Sequence, residues 1–131
     1  FICPEIEEFE AALAEYCQTA DCVTVNGAGS GLDMTLMCLD LRPEDEVIVP
    51  SVNFRAALMA VLGQRAKLVI CEIDPQTLCA DVDDVARKLT KNTRAIMVTH
   101  MNGYSAPIDK YQEIAAANPH PEFGPAKFIG W

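Results

Sequence analysis

The sequence predicts an α/β protein, a three-layer αβα arrangement around a mainly parallel sheet. Two observations predict it. Helical and extended patterns alternate along the chain. The extended stretches are near-continuous apolar runs rather than alternating ones, so both faces of the sheet are covered by helices. In such sheets ligands bind beyond the carboxyl ends of the strands. The segments to inspect are therefore residues 26–31, 50–54, Asp74 and residues 100–103.

The elements follow in order. Ile6, Phe9, Leu13 and Tyr16 recur at helical spacing, with Glu7, Glu8, Glu10 and Glu15 mostly on other faces, which predicts an amphipathic helix. Residues 22–25 are a short β-branched run read as a strand, followed by a glycine-rich stretch over 26–31 and a mostly apolar helix over 32–39. Arg42, Pro43, Glu44 and Asp45 form a turn. A second strand over 46–49 stops at Pro50, and a helix over 53–62 is expected to close at Gly63 with a left-handed cap. Residues 67–73 are a third strand, and Asp74-Pro75 opens a turn. Asp81 is an N-cap for a helix with Val82, Val85 and Leu89 on one face. Residues 94–99 form a fourth strand ending at His100. Ile108, Tyr111 and Ile114 mark a helix that ends near Asn118-Pro119, and 127–130 is a fifth strand.

Composition narrows the function. Half of the residues are apolar and 22% are charged, enough to bury a core. The net charge of −9, from ten basic and nineteen acidic residues, argues against a nucleic-acid surface, which needs a basic face. Most acidic residues fall on predicted helix faces and read as solvated surface. The six cysteines, Cys3, Cys17, Cys22, Cys38, Cys71 and Cys79, form no C-x-x-C pair, and only two histidines accompany them, so no metal site is expected. Cys22, Cys38 and Cys71 sit in apolar runs and read as small hydrophobes. Reduced thiols point to a cytoplasmic protein. No signal-peptide pattern or bilayer-length apolar run occurs. The chain starts at Phe1 and stops at Trp131 straight after an apolar run, which reads as a piece of a longer protein.

The glycine-rich stretch carries the strongest chemical signal. A strand, a glycine loop and a helix N-terminus offer free N–H groups and a favourable dipole to an anion. The competing reading is a tight turn with no ligand. A P-loop would need a Gly-Lys-Ser/Thr end, and a dinucleotide fingerprint would need its third glycine one place after Gly31 and an acidic residue where Val49-Pro50 stands. A phosphate monoester suits the segment better. Phe54 follows the second strand and is placed to stack on a flat ligand, or else is plain core. His100 closes the fourth strand at the same edge, and alone would also suit a satisfied surface or core histidine.

Taken together these segments resemble the DegT/DnrJ/EryC1/StrS sugar-aminotransferase family. Pro4-Glu5 with Phe9-Glu10 is similar to its opening G-P-E…F-E. Its phosphate loop S-G-T-A-A-L falls without gaps on Gly27-Ala28-Gly29-Ser30-Gly31-Leu32. Asp45-Glu46-Val47-Ile48-Val49-Pro50 resembles G-D-E-V-I-x-P, and the seven residues from Pro50 to Ala56 resemble P-S-F-T-F-x-A. Glu72-Ile73-Asp74-Pro75-Gln76-Thr77 is similar to D-I-D-P-x-T, Thr93-Arg94-Ala95-Ile96 to T-K-A-I, and His100-Met101-Asn102-Gly103 to H-x-x-G.

The resemblance implies the large domain of an aspartate-aminotransferase-like fold, incomplete, with residues 1–131 its partial pyridoxal-phosphate-binding part: 1–20 the opening helix and 21–131 the alternating strands and helices. It implies pyridoxal 5'-phosphate as cofactor. The implied reaction is amino transfer from an amino-acid donor to a keto group of a nucleotide-linked sugar, in a homodimer. A sugar dehydratase, or a non-catalytic phosphate-binding domain, is the alternative. Ala28 and Gly29 would offer amides to the cofactor phosphate, Ser30 a hydroxyl, Phe54 would stack on the ring, and His100 would share its edge. Gly29 and Asn53 depart from the pattern, which has Thr at both. No catalytic residue is assigned, because the Schiff-base lysine lies beyond this chain; Lys67, Lys88, Lys91, Lys110 and Lys127 open strands or lie on or after helices. The aspartate that pairs with the pyridine nitrogen falls on Trp131 in this register.

Overall fold

Four parallel strands, β1 (Glu46–Pro50), β2 (Lys67–Cys71), β3 (Thr93–Val98) and β4 (Lys127–Gly130), lie in the order β2-β1-β3-β4. The computed structural model describes residues 3–130. Among these residues five helices accompany the strands: α1 (Pro4–Cys17), α2 (Ala28–Cys38), α3 (Arg55–Gly63), α4 (Val82–Lys88) and α5 (Ile108–Ala117), with one 3-10 turn at Met101–Gly103.

Alternate strand residues face opposite layers, as a pleated backbone requires. Val47, Val49, Ala95, Met97 and Ile129 pack under α2 and α3 with Leu32, Leu36, Ala57, Ala60 and Val61. Ile48, Ile96 and Val98 pack under α4 and α5 with Val85, Tyr111 and Ala115. This gives the three-layer αβα order. β3 is buried along its whole length, as a central strand covered on both faces must be. Each fully buried Val, Leu or Ile contributes roughly 1.5–3 kcal/mol.

The chain crosses the sheet in both directions from β1. It runs outward through α3 to β2, then returns past β1 to β3 and on to β4. The reversal leaves a crevice beyond the carboxyl ends of β1 and β3, the place where open α/β sheets take ligands.

At the amino edge the connections are pinned by a buried ion pair. Arg94 at the start of β3 donates to Asp45 at 2.9 Å and to the carbonyl of Leu39 at 2.8 Å. The guanidinium carbon of Arg94 lies 3.5 Å from the centre of the Phe123 ring, a cation–π contact that ties down the α5–β4 connection. Arg42 adds a two-pronged pair to Glu122.

The capping of α4 is as the sequence predicts: the Asp81 carboxylate accepts the Asp84 N–H at 2.7 Å. Several other expectations are corrected. Residues 22–25 form no strand; Val23 and Val25 are exposed, and no strand lies alongside them among the described residues. A β-branched run makes a strand only where a neighbour offers a ladder. α1 forms, but none of its residues is buried, and Phe9 and Tyr16 of its apolar stripe are exposed. Its tie to the following segment is polar, through the Glu10 carboxylate, which accepts from the N–H and hydroxyl of Thr24. α3 runs through Gly63, and the left-handed residue is Arg65 (φ 61°). Cys71 is buried, and that burial pushes its thiol up to about 12, whereas Cys38 is exposed. The α2 helix is longer than expected and begins inside the glycine-rich stretch.

Candidate functional site

That early start decides how the glycine-rich stretch works. Gly27 is the N-cap and residues 28–31 are the first turn, closed by the Gly31 N–H on the Gly27 carbonyl at 3.2 Å. The amides of Ala28, Gly29 and Ser30 precede that first intrahelical bond and point out of the helix end. The Ser30 hydroxyl is engaged: it donates to the Asn26 side-chain oxygen at 2.7 Å. Ser30 therefore brings its N–H rather than its hydroxyl proton to the helix end. A Cβ built on Gly29 would meet the Ala56 Cβ at 3.6 Å, ordinary contact, so a side chain fits there.

Two cavities open at the carboxyl edge, and Phe54 lines both. The larger, about 580 Å³, is bordered by Gly29 and Asp33 from α2 and by Phe54, Arg55, Ala56 and Met59 around the start of α3. The smaller, about 290 Å³, is bordered by Asn53 and Phe54 after β1 and by Thr99, His100, Met101 and Asn102 after β3. It occupies the crevice where the chain reverses across the sheet. Phe54 is 64% exposed, so its ring is not core. The helix end, the aromatic and the histidine singled out from the sequence thus meet around one ring.

The local hydrogen bonds fix the polar atoms around the smaller cavity. His100 Nδ1 accepts the Ala106 N–H at 3.0 Å. A neutral imidazole whose Nδ1 accepts carries its proton on Nε2. Asn53 Oδ1 accepts the Phe54 N–H at 2.8 Å, and Asn53 Nδ2 is buried without a partner. Asn102 sits in the left-handed region at φ 53°, inside the 3-10 turn that follows His100.

Asp74, flagged for its place after β2, does structural work. Its carboxylate accepts the N–H groups of Gln76 and Thr77, and these bonds, Thr77 foremost, hold its carboxyl below the usual range. With Asp81, Asp83, Ser105 and Lys110 it lines a third cavity of about 410 Å³, which shares no lining residue with the other two. Lys110 therefore lies nearer the carboxyl edge than its helical position suggested, but away from Phe54 and His100. Lys67 and Lys127 open β2 and β4 at the amino edge, and Lys88 bonds the Ile70 carbonyl and Asp84. No group of metal-ligating side chains occurs among the described residues, and no described helix is long and apolar enough to cross a membrane. Trp131 lies outside the described residues.

The sequence profile of the DegT/DnrJ/EryC1/StrS aminotransferase family matches residues 2–119. The chain belongs to this family. Among its members, the dTDP-4-dehydro-2,3,6-trideoxy-D-glucose 4-aminotransferase of Saccharopolyspora spinosa is 37% identical over 102 residues, covering 76% of this chain and 26% of the relative. The structure of Streptomyces venezuelae DesV in complex with a ketimine intermediate superposes with a TM-score of 0.87 at 33% identity, over 98% of this chain and 33% of DesV. The Streptococcus pneumoniae sugar aminotransferase Spr1654 in its PLP form gives a TM-score of 0.82 at 28% identity, over 87% of this chain and 29% of its own. The aspartate-aminotransferase-like fold expected from the sequence is the fold of this family. The chain spans between about a quarter and a third of the length of these relatives.

Sequence reasoning missed Arg55, Met59 and Asp33 in the larger cavity and Thr99 in the smaller. Arg55 immediately follows Phe54 at the start of α3, and that adjacency was the available signal. The orphaned Asn53 donor has no signature in sequence.

Proposed function

We propose that the whole protein is a pyridoxal-5'-phosphate-dependent aminotransferase that moves an amino group from an amino-acid donor to a keto group of a nucleotide-linked sugar. The observation that carries this reading is Phe54. Its exposed ring borders both the cavity at the α2 N-terminus and the cavity at His100.

The residues present fit the cofactor. A phosphate suits the first-turn amides of Ala28, Gly29 and Ser30, where the helix dipole adds to the N–H donors. A pyridine ring suits the face of Phe54, and the polar side chains of Thr99, His100 and Asn102 line the cavity at the switch point beside it. When bound, the cofactor supplies an electron sink for amino transfer. The work of this chain is to hold the phosphate, to fix the plane of the ring against Phe54, and to keep water from that face. His100 presents a fixed Nε2–H to the ring edge.

In this reading residues 1–131 are the front part of the large domain, with 1–20 the opening helix and 21–131 the alternating strands and helices. The crevice holds none of the lysines this chain carries. The chain by itself does not transaminate, and the lysine comes from outside it. The exposed apolar side chains of α2 and α3, Met34, Met37, Met59 and Leu62, suit a second copy in a homodimer. Free cysteines suit the cytoplasm.

The test is retention of pyridoxal phosphate by the full-length protein and its Phe54→Ala variant, followed by absorbance through gel filtration. Loss of bound cofactor with an unchanged thermal melt supports the assignment. Equal retention by both proteins refutes it.

A further inference from the structure

The helices α2 and α3 are poor in charge for this chain. Charged residues make up 22% of the sequence, yet Asp33 is the one charged residue among the 11 of α2, and Arg55 the one among the 9 of α3. The helices start side by side, since a Cβ built on Gly29 would meet the Ala56 Cβ at 3.6 Å. Asp33 and Arg55, one from each helix, border the same cavity of about 580 Å³. Both are exposed. Neither side chain makes a hydrogen bond or ion pair with the other, or with any other group among the described residues.

Exposed apolar side chains follow each charge at helical spacing. Met37 lies one turn beyond Asp33, and Met59 and Leu62 lie one and two turns beyond Arg55. Each helix thus carries its charge and its apolar residues on one face. A surface depleted in charge and rich in methionine has the composition of an interface core, and methionine adapts its packing to the surface it meets. A solvated helix of this chain looks different: the exposed face of α1 carries Glu5, Glu7, Glu8 and Glu15.

The two free charges decide what covers this face. In a contact across a twofold axis a surface meets itself, so that residue i of one copy meets residue j of the other, and j meets i. One carboxylate beside one guanidinium, both unpaired, is complementary to itself in that arrangement. A chain of net charge −9 repels its own copies elsewhere, whereas the side chains of α2 and α3 sum to no net charge.

We infer that the α2–α3 face docks a second copy of this chain, with Asp33 of each copy paired to Arg55 of the other. The inference rests on the homodimer reading above and names the contact that sets its register. Met37, Met59 and Leu62 supply the apolar burial, and the two reciprocal ion pairs select a like partner over an unlike one.

The experiment is a charge exchange in the full-length protein. Asp33→Arg and Arg55→Asp are made separately, carried on two different affinity tags, and examined alone and after co-expression by sedimentation and native mass spectrometry. Each variant alone sets like charges against each other at both pairs, and its dimer dissociation constant should rise about tenfold or more. Co-expressed, the two variants restore both opposite-charge pairs, so mixed dimers should exceed the share given by random pairing. The double variant Asp33→Arg/Arg55→Asp should dimerise as the unsubstituted protein does, and this also checks that the substitutions leave the fold intact. Random pairing, with both single variants dimerising normally, overturns the inference and leaves a homodimer formed through another face. Loss of dimer in the single variants without recovery in the mixture also overturns it, because the charges then meet groups other than each other. If the unsubstituted protein is a monomer, the homodimer reading fails and the inference falls with it.

Discussion

The Phe54 ring and the His100 imidazole border one cavity, each from just beyond the carboxyl end of one of two neighbouring parallel strands. Phe54 also borders the cavity at Gly29. An aromatic side chain at 64% exposure contributes little to the core. Phe54→Ala should therefore cost the fold less than about 1 kcal/mol, against the roughly 3–5 kcal/mol expected of a buried Phe. It should nevertheless release cofactor from the full-length protein. Paired thermal melts and absorbance measurements check both halves.

Gly29 offers a gain-of-function test. The family pattern has Thr there, and the backbone has room for a Cβ at 3.6 Å from Ala56. Gly29→Thr places a hydroxyl donor beside the first-turn amides and removes a flexible residue from a helix. The expected outcome is cofactor phosphate held several-fold more tightly, about 1 kcal/mol, with an equal or higher melting temperature. Weaker binding in a stable variant would place the phosphate elsewhere.

At the opposite edge, Asp45→Ala should leave Arg94 buried with the Leu39 carbonyl and the face of Phe123 as its remaining contacts. Breaking a buried pair by removing one partner costs about 3–5 kcal/mol. Urea denaturation should show a loss of that order. A loss no larger than that of an exposed pair, about 1 kcal/mol or less, would contradict the clamp assigned to this cluster.

Asp84 makes the fold acid-sensitive. The Glu72 N–H at 2.6 Å, then Lys88 and Arg87, hold its carboxyl below the usual range against the opposing effect of burial. A lowered folded-state value stabilises the fold above the unfolded value of about 3.9. That contribution is lost as pH falls through the lowered value. Melts between about pH 5 and pH 2 should therefore fall more steeply for the unsubstituted protein than for Asp84→Asn. Parallel curves would remove Asp84 from the account.

Most of the layered fold was legible because its signals are local. β1 and β3 are unbroken apolar runs covered on both faces, and Asp81 is a side-chain cap three residues from its partner. Residues 22–25 and α1 misled because burial and ladder partners are not local properties, and the same apolar pattern reads alike whether or not a neighbour covers it. The placement of Gly29, Phe54 and His100 around the carboxyl-edge cavities was legible from their places after strands and from their ordered resemblance to a family. Asn53 was visible only as a departure from that pattern. Its hydrogen bonding is a matter of geometry, since only coordinates show that one of its amide atoms is engaged and the other is not.

The central claim is that the carboxyl-edge crevice of β1 and β3 is a pyridoxal-phosphate site. An experimental structure of the full-length protein with pyridoxamine 5'-phosphate tests it most directly. The account predicts the phosphate on the amides of Ala28, Gly29 and Ser30, and the ring on Phe54 beside His100. A ligand bound away from Phe54, or with its phosphate off the α2 N-terminus, would contradict it.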